Sequence, residues 1–357
     1  SNFSFRGEVA YLKPGASKAD RFNGEATTYV DDFEGSQTTI DMRAASAWSL
    51  ASAPQGLGGE KGVNDPEYGY RRGKLAWYSI DPTFYTNSRP TEVTNEDLSS
   101  NRTRRIYYEE LYPVTDVVPG QSTVVTTLDL SYYPQERGPY NYNPLAAATN
   151  SFTQSQATQN WGGIMRAINS TNFEQSNVEY IQFWMMDPYV GNPGDVITGD
   201  NSGTLEINLG EVSEDILKDN RKQYENGLPT AGGNQPVYSG FWGDVPASQS
   251  LIYAFDTDSA NRAIQDVGFD GLTDTEEATA HPQFAGQADP SADNYQFFLA
   301  ASGNVLDRYK NYNGTEGNSP INFSDNNRGS TTLPDTEDIN RDNTMNTIEA
   351  YFKYTIP

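Results

Sequence analysis

Two acidic stretches of the chain place oxygen-bearing residues at the spacing of a calcium-binding loop. Such a loop takes its ligands from positions 1, 3, 5, 7, 9 and 12, with a backbone carbonyl at 7 and a bidentate acid at 12. Residues 338–349 fit every position, with Asp338, Asn340, Asp342, the carbonyl of Thr344, Asn346 and Glu349. Asn343 stands where the usual glycine would be, and asparagine tolerates the positive φ of that turn. We therefore predict a calcium site in residues 338–349.

The second stretch, residues 266–277, fits the same spacing less completely. Its ligands would be Asp266, Asp270, the carbonyl of Leu272, Asp274 and Glu277. Gly271 supplies the tight turn, whereas Gly268 offers no side chain at position 3. Neither stretch lies between two clear helices, so both are analogues of the calcium loop and not EF-hands. A solvated acidic turn is the alternative for both, because the chain is rich in Asp and Asn.

The residue types needed for nucleophilic catalysis are scarce in the chain. It has no cysteine and a single histidine, His281, which precedes Pro282. A Cys–His dyad is therefore impossible, and a Ser–His–Asp triad would need His281 without any nucleophile-elbow sequence around it. Acidic residues are abundant, but no spacing singles out an acid and a base for glycoside hydrolysis. The sequence predicts a protein that is not an enzyme.

The charge and the cysteine content of the chain exclude some partners. The 48 acidic residues outnumber the 24 basic ones, so the net charge is −24. Such a surface neither neutralises a nucleic-acid backbone nor is attracted to anionic lipid. Without cysteine there are no disulfides and no zinc-thiolate sites, which makes calcium the expected cross-link of an exported protein. No apolar run is long enough for a membrane helix.

Composition and periodicity predict an all-β fold, a β-sandwich with long irregular loops and a few short helices. The 31 glycines, the 20 prolines and the 12% of aromatic residues are typical of such a fold. Apolar runs and alternations predict strands at residues 74–80, 123–132, 161–168, 178–187, 204–210 and 348–355.

Residues 178–216 are predicted to be the centre of this fold. The first part is apolar on both faces near its end, as expected of a strand buried in a sandwich core. The second part alternates, with Leu205, Ile207 and Leu209 on one face, as in a half-buried strand. Ser213 then has the position of a helix N-cap, followed by two acids where the helix dipole favours them. Two strands and a short helix would form a sandwich nucleus.

Large aromatic residues are assigned by their sequence context. Trp77 and Trp184 lie in predicted strands, so we expect them in the core. Four others lie in or beside predicted loops: Trp161, Trp242, Tyr140 and Tyr142. For these four we favour packing, with a sugar-binding platform or a protein-contact patch as the alternative.

Six segments of the chain are long and idiosyncratic enough to carry a family resemblance. They are residues 29–37 (YVDDFEGSQ), 71–78 (RRGKLAWY), 136–144 (ERGPYNYNP), 161–166 (WGGIMR), 183–189 (FWMMDPY) and 205–216 (LEINLGEVSEDI). Together they resemble the SprA/Sov family, the outer-membrane translocons of type IX protein secretion and gliding motility in Bacteroidota. Members of that family are several times longer, so the resemblance implies that these 357 residues are an excised portion.

The resemblance implies a domain organisation and a function. Residues 1–15 would be a flanking strand of a larger barrel, and residues 16–357 a single galactose-binding-like jelly roll with long loop insertions. The segment would be a non-catalytic, soluble part of a protein-conducting channel at the outer membrane. It would be a cell-surface cap, with a periplasmic insertion as the alternative.

The resemblance also implies partners. These are the remainder of the translocon barrel, a PorV-like shuttle protein, a plug protein and the secreted passenger proteins. A second function stays open at this stage, a calcium-stabilised carbohydrate-binding module of a surface glycan-utilisation protein. It would share the fold class and the acidic loops, and it would need a concave aromatic platform.

Overall fold

The computed structural model describes residues 40–114, 120, 123–168, 178, 180–191, 203–225, 237–247, 268–314 and 335–356. The strands in these ranges are β1 (Ser49–Leu50), β2 (Gly73–Tyr78), β3 (Ile106–Tyr107), β4 (Val124–Val125), β5 (Asp129–Arg137), β6 (Ile164–Met165), β7 (Leu205–Glu211), β8 (Val237–Ser239), β9 (Asp244–Pro246) and β10 (Ala350–Ile356). The α-helices are α1 (Asn95–Ser99), α2 (Tyr108–Leu111), α3 (Gln154–Ala157), α4 (Asp274–Ala280) and α5 (Val305–Tyr309). Single turns of 3-10 helix lie at Ala45–Ala47, Pro66–Tyr68, Pro82–Tyr85, Pro144–Ala146 and Pro282–Phe284. Strands and loops with a few short helices agree with the all-β class.

The described strands pair two by two, and every pair is antiparallel. The pairs are β1 with β6, β2 with β5, β3 with β4, β7 with β10, and β8 with β9. Within the described residues no sheet has a third strand and no barrel closes. The jelly-roll arrangement therefore stays a prediction.

The strand β2 lies at the centre of the described core and confirms the strand predicted at residues 74–80. Trp77 packs into one hydrophobic cluster, whereas Ala76 and Tyr78 pack into a second one. The ring of Tyr78 stacks on Tyr309 of α5, with 4.1 Å between the ring centroids. Because successive side chains of a strand point to opposite faces, β2 separates two clusters and contributes to both.

Two buried arginines connect loops around this core. Arg72 precedes β2 and donates to the carbonyl oxygens of Pro139 and Ile216, both at 3.1 Å. Arg137 ends β5 and donates to the carbonyl oxygen of Pro290 at 2.6 Å. A guanidinium has five N–H donors, so one buried arginine can satisfy carbonyls that several loops would otherwise bury without a partner. Both arginines belong to segments that carry the family resemblance.

The strands β7 and β10 form a ribbon with one apolar face, and they confirm the strands predicted at residues 204–210 and 348–355. On that face Phe352, Tyr354 and Ile356 lie opposite Leu209, Ile207 and Leu205. Phe352 is 75% exposed and Tyr354 is 54% exposed. The other face is polar and carries the ion pair between Lys353 and Glu206 at 2.8 Å. The ribbon therefore presents an uncovered apolar surface.

The strand predicted at residues 178–187 is wrong. None of its described residues is assigned to a strand, and Trp184 is 64% exposed instead of lying in the core. A strand that is apolar on both faces needs cover on both faces, and the neighbouring side chains of Phe183 and Met185 are exposed as well. The central position expected for this stretch belongs to β2.

The helix expected after Ser213 is also wrong. Residues 216–221 form bends and no helix, because Lys218 and Asn220 adopt positive φ values of 52° and 59°, and such values end an α-helix. The Oγ of Ser213 still accepts a hydrogen bond from the backbone amide of Asp215 at 3.2 Å. The predicted strands at residues 123–132 and 161–168 are confirmed only in part, by β4, β5 and β6.

Contacts divide the chain into two compact units. One unit comprises Ser1–Ile40 with Asn169–Phe183, and the other comprises Asp41–Ile168 with Trp184–Pro357. The core, the ribbon and the acidic loops discussed below all belong to the second unit. The predicted flanking strand at residues 1–15 lies outside the described residues. In the ranges given above, no helix is both long and apolar enough to cross a membrane.

Candidate calcium loops and the acidic turns around them

The loop at residues 338–349 begins with a tight turn closed by a buried carboxylate. Asp338 accepts hydrogen bonds from the backbone amides of Asp342 at 3.0 Å and Asn343 at 2.9 Å. Its Oδ2 also lies 3.3 Å from the ammonium of Lys222. Asn343 has a φ of 67°, which confirms the positive φ expected at the glycine position. This half of the loop has the predicted turn. However, the first predicted calcium ligand, Asp338, forms an ion pair with Lys222 through one of its carboxylate oxygens.

The last predicted ligand of this loop, Glu349, has a hydrogen-bond partner outside the loop. Glu349 accepts a hydrogen bond from the backbone amide of Ser213, and burial raises the pKa of its carboxyl group. In the described residues, three groups of acids come close enough to share an ion, and none of them contains Asp338, Asp342 or Glu349. The convergence of Asn340, Thr344 and Asn346 with these acids on one ion stays a prediction.

The turn after Asp338 has a second copy in the chain. Residues 214–220 read EDILKDN and residues 337–343 read EDINRDN. In the first copy Asp215 accepts from the backbone amides of Asp219 at 3.0 Å and Asn220 at 2.8 Å. Lys218 and Arg341, the fifth residues of the two copies, have φ values of 52° and 58°. The two similar sequences therefore have similar backbone conformations at this position. The repeat can be recognised from the sequence alone.

The two copies bind each other through their first residues. The carboxylate of Glu337 is fully buried and accepts from the backbone amides of Ile216 at 2.7 Å, Leu217 at 3.2 Å and Gln223 at 2.8 Å. These are the third, fourth and tenth residues counted from Glu214. One carboxylate of the second copy thus satisfies three amides of the first.

The reverse contacts follow the same offsets. Glu214 accepts from the backbone amides of Ile339 at 3.1 Å, Asn340 at 3.2 Å and Asn346 at 3.2 Å. Those residues are the third, fourth and tenth counted from Glu337. The backbone repeats the exchange, since the amide of Glu214 donates to the carbonyl of Asn346 and that of Glu337 donates to the carbonyl of Gln223. We call this arrangement the paired turn, residues 214–223 with 337–346.

A third turn of the same kind lies at residues 289–294 (DPSADN). Asp289 accepts from the backbone amides of Asp293 at 3.1 Å and Asn294 at 3.2 Å, and Ala292 has a φ of 58°. As in the paired turn, a glutamate from another segment binds this turn. Glu277 of helix α4 accepts a hydrogen bond from the backbone amide of Ser291 at 2.9 Å. The third turn is therefore joined to the second predicted calcium stretch.

This contact brings five acids together in two triples that share Glu277. Oxygen atoms of Asp270, Glu277 and Asp293 lie within 4.8 Å of one another, and so do those of Asp274, Glu277 and Asp289. Of the sequence-predicted residues, Glu277 lies close to both Asp270 and Asp274, and the structure adds two acids that the spacing of residues 266–277 did not reveal. The repeated DxxxDN pattern was the signal for both. Asp266 lies outside the described residues, and the amide of Leu272 donates to Asp270 at 3.1 Å.

Burial makes this five-acid group electrostatically unusual. Burial first, and then the neighbouring carboxylate of Asp293, raise the pKa of Asp270 well above its ordinary value. Burial and Asp270 raise the pKa of Glu277 to about 9. Asp270 does have neutral partners, because the hydroxyl of Ser291 donates to it at 2.7 Å. Buried carboxylates this close are stabilised by a proton or by a bound cation, and hard oxygen donors are the ligands of calcium.

A smaller acidic group lies inside the paired turn. Oxygen atoms of Asp215, Asp219 and Glu337 lie within 4.8 Å of one another. Burial raises the pKa of Asp219 to about 6, although the side chain of Gln223 donates to it at 2.7 Å. The amides that point at Glu337 supply positive partial charge there, so this group has partners of its own.

The aromatic residues assigned to loops belong to the core. The side chains of all four are buried: Trp161, Trp242, Tyr140 and Tyr142. Trp77 is buried as expected. The imidazole of His281 stacks on the ring of Tyr142 at 3.6 Å, and burial lowers its pKa to about 4. These four rings therefore form no exposed sugar platform.

One comparison with known proteins bears on the chain. Residues 273–357 match the SprA_N family, described as a motility related/secretion protein. This segment is SprA-related. It covers about a quarter of the 357 residues, and it contains α4, the third turn, the second copy of the paired turn and β10. No curated protein matches the chain.

The SprA-related segment does not stand apart from the remainder of its unit. Its copy of the paired turn holds residues 214–223, and its strand β10 pairs along its full length with β7. Both partners lie within or next to residues 205–216, a segment that resembles the family by sequence. Residues that match the family model are therefore in direct contact with residues that carry the resemblance.

Proposed function

We propose that this chain is a non-catalytic part of an outer-membrane translocon for type IX protein secretion. The observation that carries the proposal is the SprA_N match at residues 273–357, whose description names motility and secretion. The six resemblance segments support it, because Arg72 and Arg137 from two of them are the buried arginines of the core. A translocon holds an aqueous path open and selects what passes, which requires scaffold and surface and no reacting group.

The β7–β10 ribbon supports the same proposal. Its apolar face, with Phe352 and Tyr354 largely exposed, is unusual for a surface of a protein with net charge −24. An isolated two-stranded ribbon is only marginally stable in water and gains stability when its apolar face is covered. We propose that the remainder of the translocon covers it.

The lack of turnover is part of the proposal. His281 is half-buried against Tyr142, and the low pKa keeps the ring neutral. The buried acids of the five-acid group accept bonds from Ser291 and from backbone amides. We propose that groups held in this way act in structure, since a catalytic acid or base must reach a substrate.

We propose calcium as a structural ligand of the five-acid group, Asp270, Asp274, Glu277, Asp289 and Asp293. The support is the two triples of oxygen donors that share the buried Glu277, in a chain without disulfides. The loop at 338–349 is the second candidate, and its support is weaker because Lys222 pairs with Asp338. The carbohydrate-binding alternative loses its expected platform, because the four loop aromatics are buried.

The proposed partners are the remainder of the barrel, a PorV-like shuttle protein, a plug protein and secreted passengers. We place the segment at the cell surface as a cap over the channel, with the periplasmic side as the alternative. The negative surface would repel acidic passengers and keep the vestibule hydrated.

The test is export in cells that carry the complete protein with substitutions in the ribbon. Phe352→Ser removes an apolar side chain from the open face, and Thr355→Ser on the opposite face is the matched control. We expect Phe352→Ser to lower the amount of secreted cargo relative to the amount of this protein in the outer membrane. Unchanged cargo export in a strain that lacks the protein altogether would overturn the proposal.

A further inference from the structure

A cavity lined by arginines lies in the segment between β2 and β4. It measures about 560 Å³, a size within the usual range of small-ligand sites. The 3-10 turn Pro82–Tyr85, the helices α1 and α2 and the strand β3 all contribute to its lining. The sequence analysis assigned no chemistry to this segment, and no residue of the acidic turns lines the cavity.

The lining is positive although the chain as a whole is strongly negative. Arg89, Arg104 and Arg105 line the cavity together with one carboxylate, that of Glu110, in a chain of net charge −24. Charges beyond about 8 Å are largely screened at physiological ionic strength, so the acids in distant parts of the chain oppose the binding of an anion here only weakly. Arginine stays protonated at any physiological pH.

The arginines are held in place by contacts that leave donors available. Arg104 binds Glu110 through both terminal nitrogens, at 3.0 and 2.9 Å. Arg89 donates from one terminal nitrogen to the side-chain oxygen of Asn95 at 2.7 Å. The guanidinium of Arg105 lies 4.4 Å from the ring centroid of Tyr85, and no carboxylate of the described residues contacts it. Arg89 and Arg105 can therefore donate hydrogen bonds to an anion without breaking an ion pair.

The chemistry of this lining selects a particular ligand class. The planar fork of an arginine matches the two oxygens of a carboxylate or a phosphate, and such charge-assisted bonds are among the strong ones. We propose that the cavity binds a small ligand through an oxyanion, a carboxylate or a phosphate, with Arg89 and Arg105 as the binding residues. The Arg104–Glu110 pair forms one wall, and the partly exposed ring of Tyr107 offers an apolar edge. This proposal is independent of the translocon proposal.

Calorimetric titration at constant ionic strength tests it, with the purified chain and three sugars as probes. Glucuronate carries a carboxylate, glucose 6-phosphate carries a phosphate, and glucose carries neither. Arg89→Gln and Arg105→Gln are the test variants. Arg102→Gln is the matched control, because Arg102 is exposed in the same segment and does not line the cavity.

We expect at least one anionic sugar to bind and glucose not to bind. Each test variant should weaken that binding about tenfold, whereas the control should change it by less than about twofold. Arg105→Lys keeps the charge and loses the fork, so it should also weaken binding and serves if Arg105→Gln does not fold. Binding of neither anionic sugar in the millimolar range, or equal weakening by Arg102→Gln, would overturn the proposal.

Discussion

The single histidine is a residue whose environment decides its role. The sequence permitted His281 as a base only in a triad without supporting context, and the structure stacks it on Tyr142 beside a helix end. Burial, with a smaller contribution from the charge of Arg137, lowers the pKa of its imidazole to about 4. At physiological pH its imidazole ring is therefore neutral and packs against the ring of Tyr142.

Because the chain has one histidine, its titration can be followed directly by NMR. We expect a midpoint of about 4 for His281, whereas an unfolded histidine titrates near 6.5. Between these values the unfolded state binds more protons, so this residue's contribution to stability is complete above about pH 6.5 and is lost as pH falls toward 4. The stability difference between His281→Phe and the parent should vary only in that window. A midpoint near 6.5 would contradict the buried position.

Glu214 and Glu337 are the residues on which the paired turn depends. Each carboxyl group accepts hydrogen bonds from three backbone amides of the opposite copy, and leaving such a buried donor without an acceptor costs about 1–3 kcal/mol. In Glu337→Gln or Glu214→Gln an N–H₂ group replaces one accepting oxygen and faces a backbone donor.

We expect each of these substitutions to lower the free energy of unfolding by about 1–3 kcal/mol. The double variant should lose less than the sum, because both act on one structure. Glu211→Gln, at an exposed position of β7, is the control and should stay within about 0.5 kcal/mol. Chemical denaturation measures all four. Strict additivity would show that the two contacts are independent.

At the scale of elements, the strand β2 has the central position that the sequence suggested for the stretch at residues 178–187. Both contain apolar runs with a tryptophan. The strand β2 pairs with β5 and has a cluster on each face, whereas the described residues of the other stretch belong to no strand and are exposed around Trp184. The hydrophobic pattern of a segment indicates how much free energy its burial would contribute. Whether the segment is buried depends on the elements that pack against it.

The two tryptophans provide the matched test of this difference. Trp77→Ala should destabilise the chain by roughly 3–5 kcal/mol, because a buried tryptophan leaves a large cavity, and Trp77 is 1% exposed. Trp184→Ala should cost less than about 1 kcal/mol. Denaturant unfolding followed by circular dichroism measures both variants without relying on tryptophan fluorescence. A large loss for Trp184→Ala would show that this stretch is covered.

At the scale of the whole molecule, the absence of disulfides makes metal binding the main question. The five-acid group belongs to α4, the turn before it and the third turn, so an ion there would join separate pieces of the chain. Binding to the folded state alone adds about 2.7 kcal/mol of stability at a hundredfold excess over the dissociation constant.

Thermal melts with calcium and with chelator are expected to differ, with the higher melting temperature in calcium. Glu277→Gln should remove most of that increment, because Glu277 belongs to both acid triples of the group. Its melt in chelator should change little, since a pKa of about 9 leaves the parent side chain mostly protonated at neutral pH. Glu349→Gln should retain the calcium increment if the five-acid group is the site. Superimposable melts of the parent chain with calcium and chelator would exclude a structural calcium.

The sequence by itself determined the properties that depend on local pattern. Alternation predicted β7 and β10, the run around Trp77 predicted β2, and composition predicted the all-β class. It also predicted the positive φ at Asn343, because the conformational preference of asparagine acts within one residue. Idiosyncratic segments pointed to the SprA family, and the match of residues 273–357 supports that resemblance.

Only the tertiary structure decided which distant residues meet. The spacing within residues 266–277 could not show that Asp293 joins Asp270 or that Asp289 joins Asp274, because these contacts depend on the packing of the third turn against α4. The repeated EDIxxDN motif was present in the sequence, but its reciprocal binding joins segments more than a hundred residues apart. Burial likewise depends on which segments pack against a residue. The hydrophobic pattern therefore predicted a buried Trp184, whereas in the structure Trp77 is buried and Trp184 is exposed.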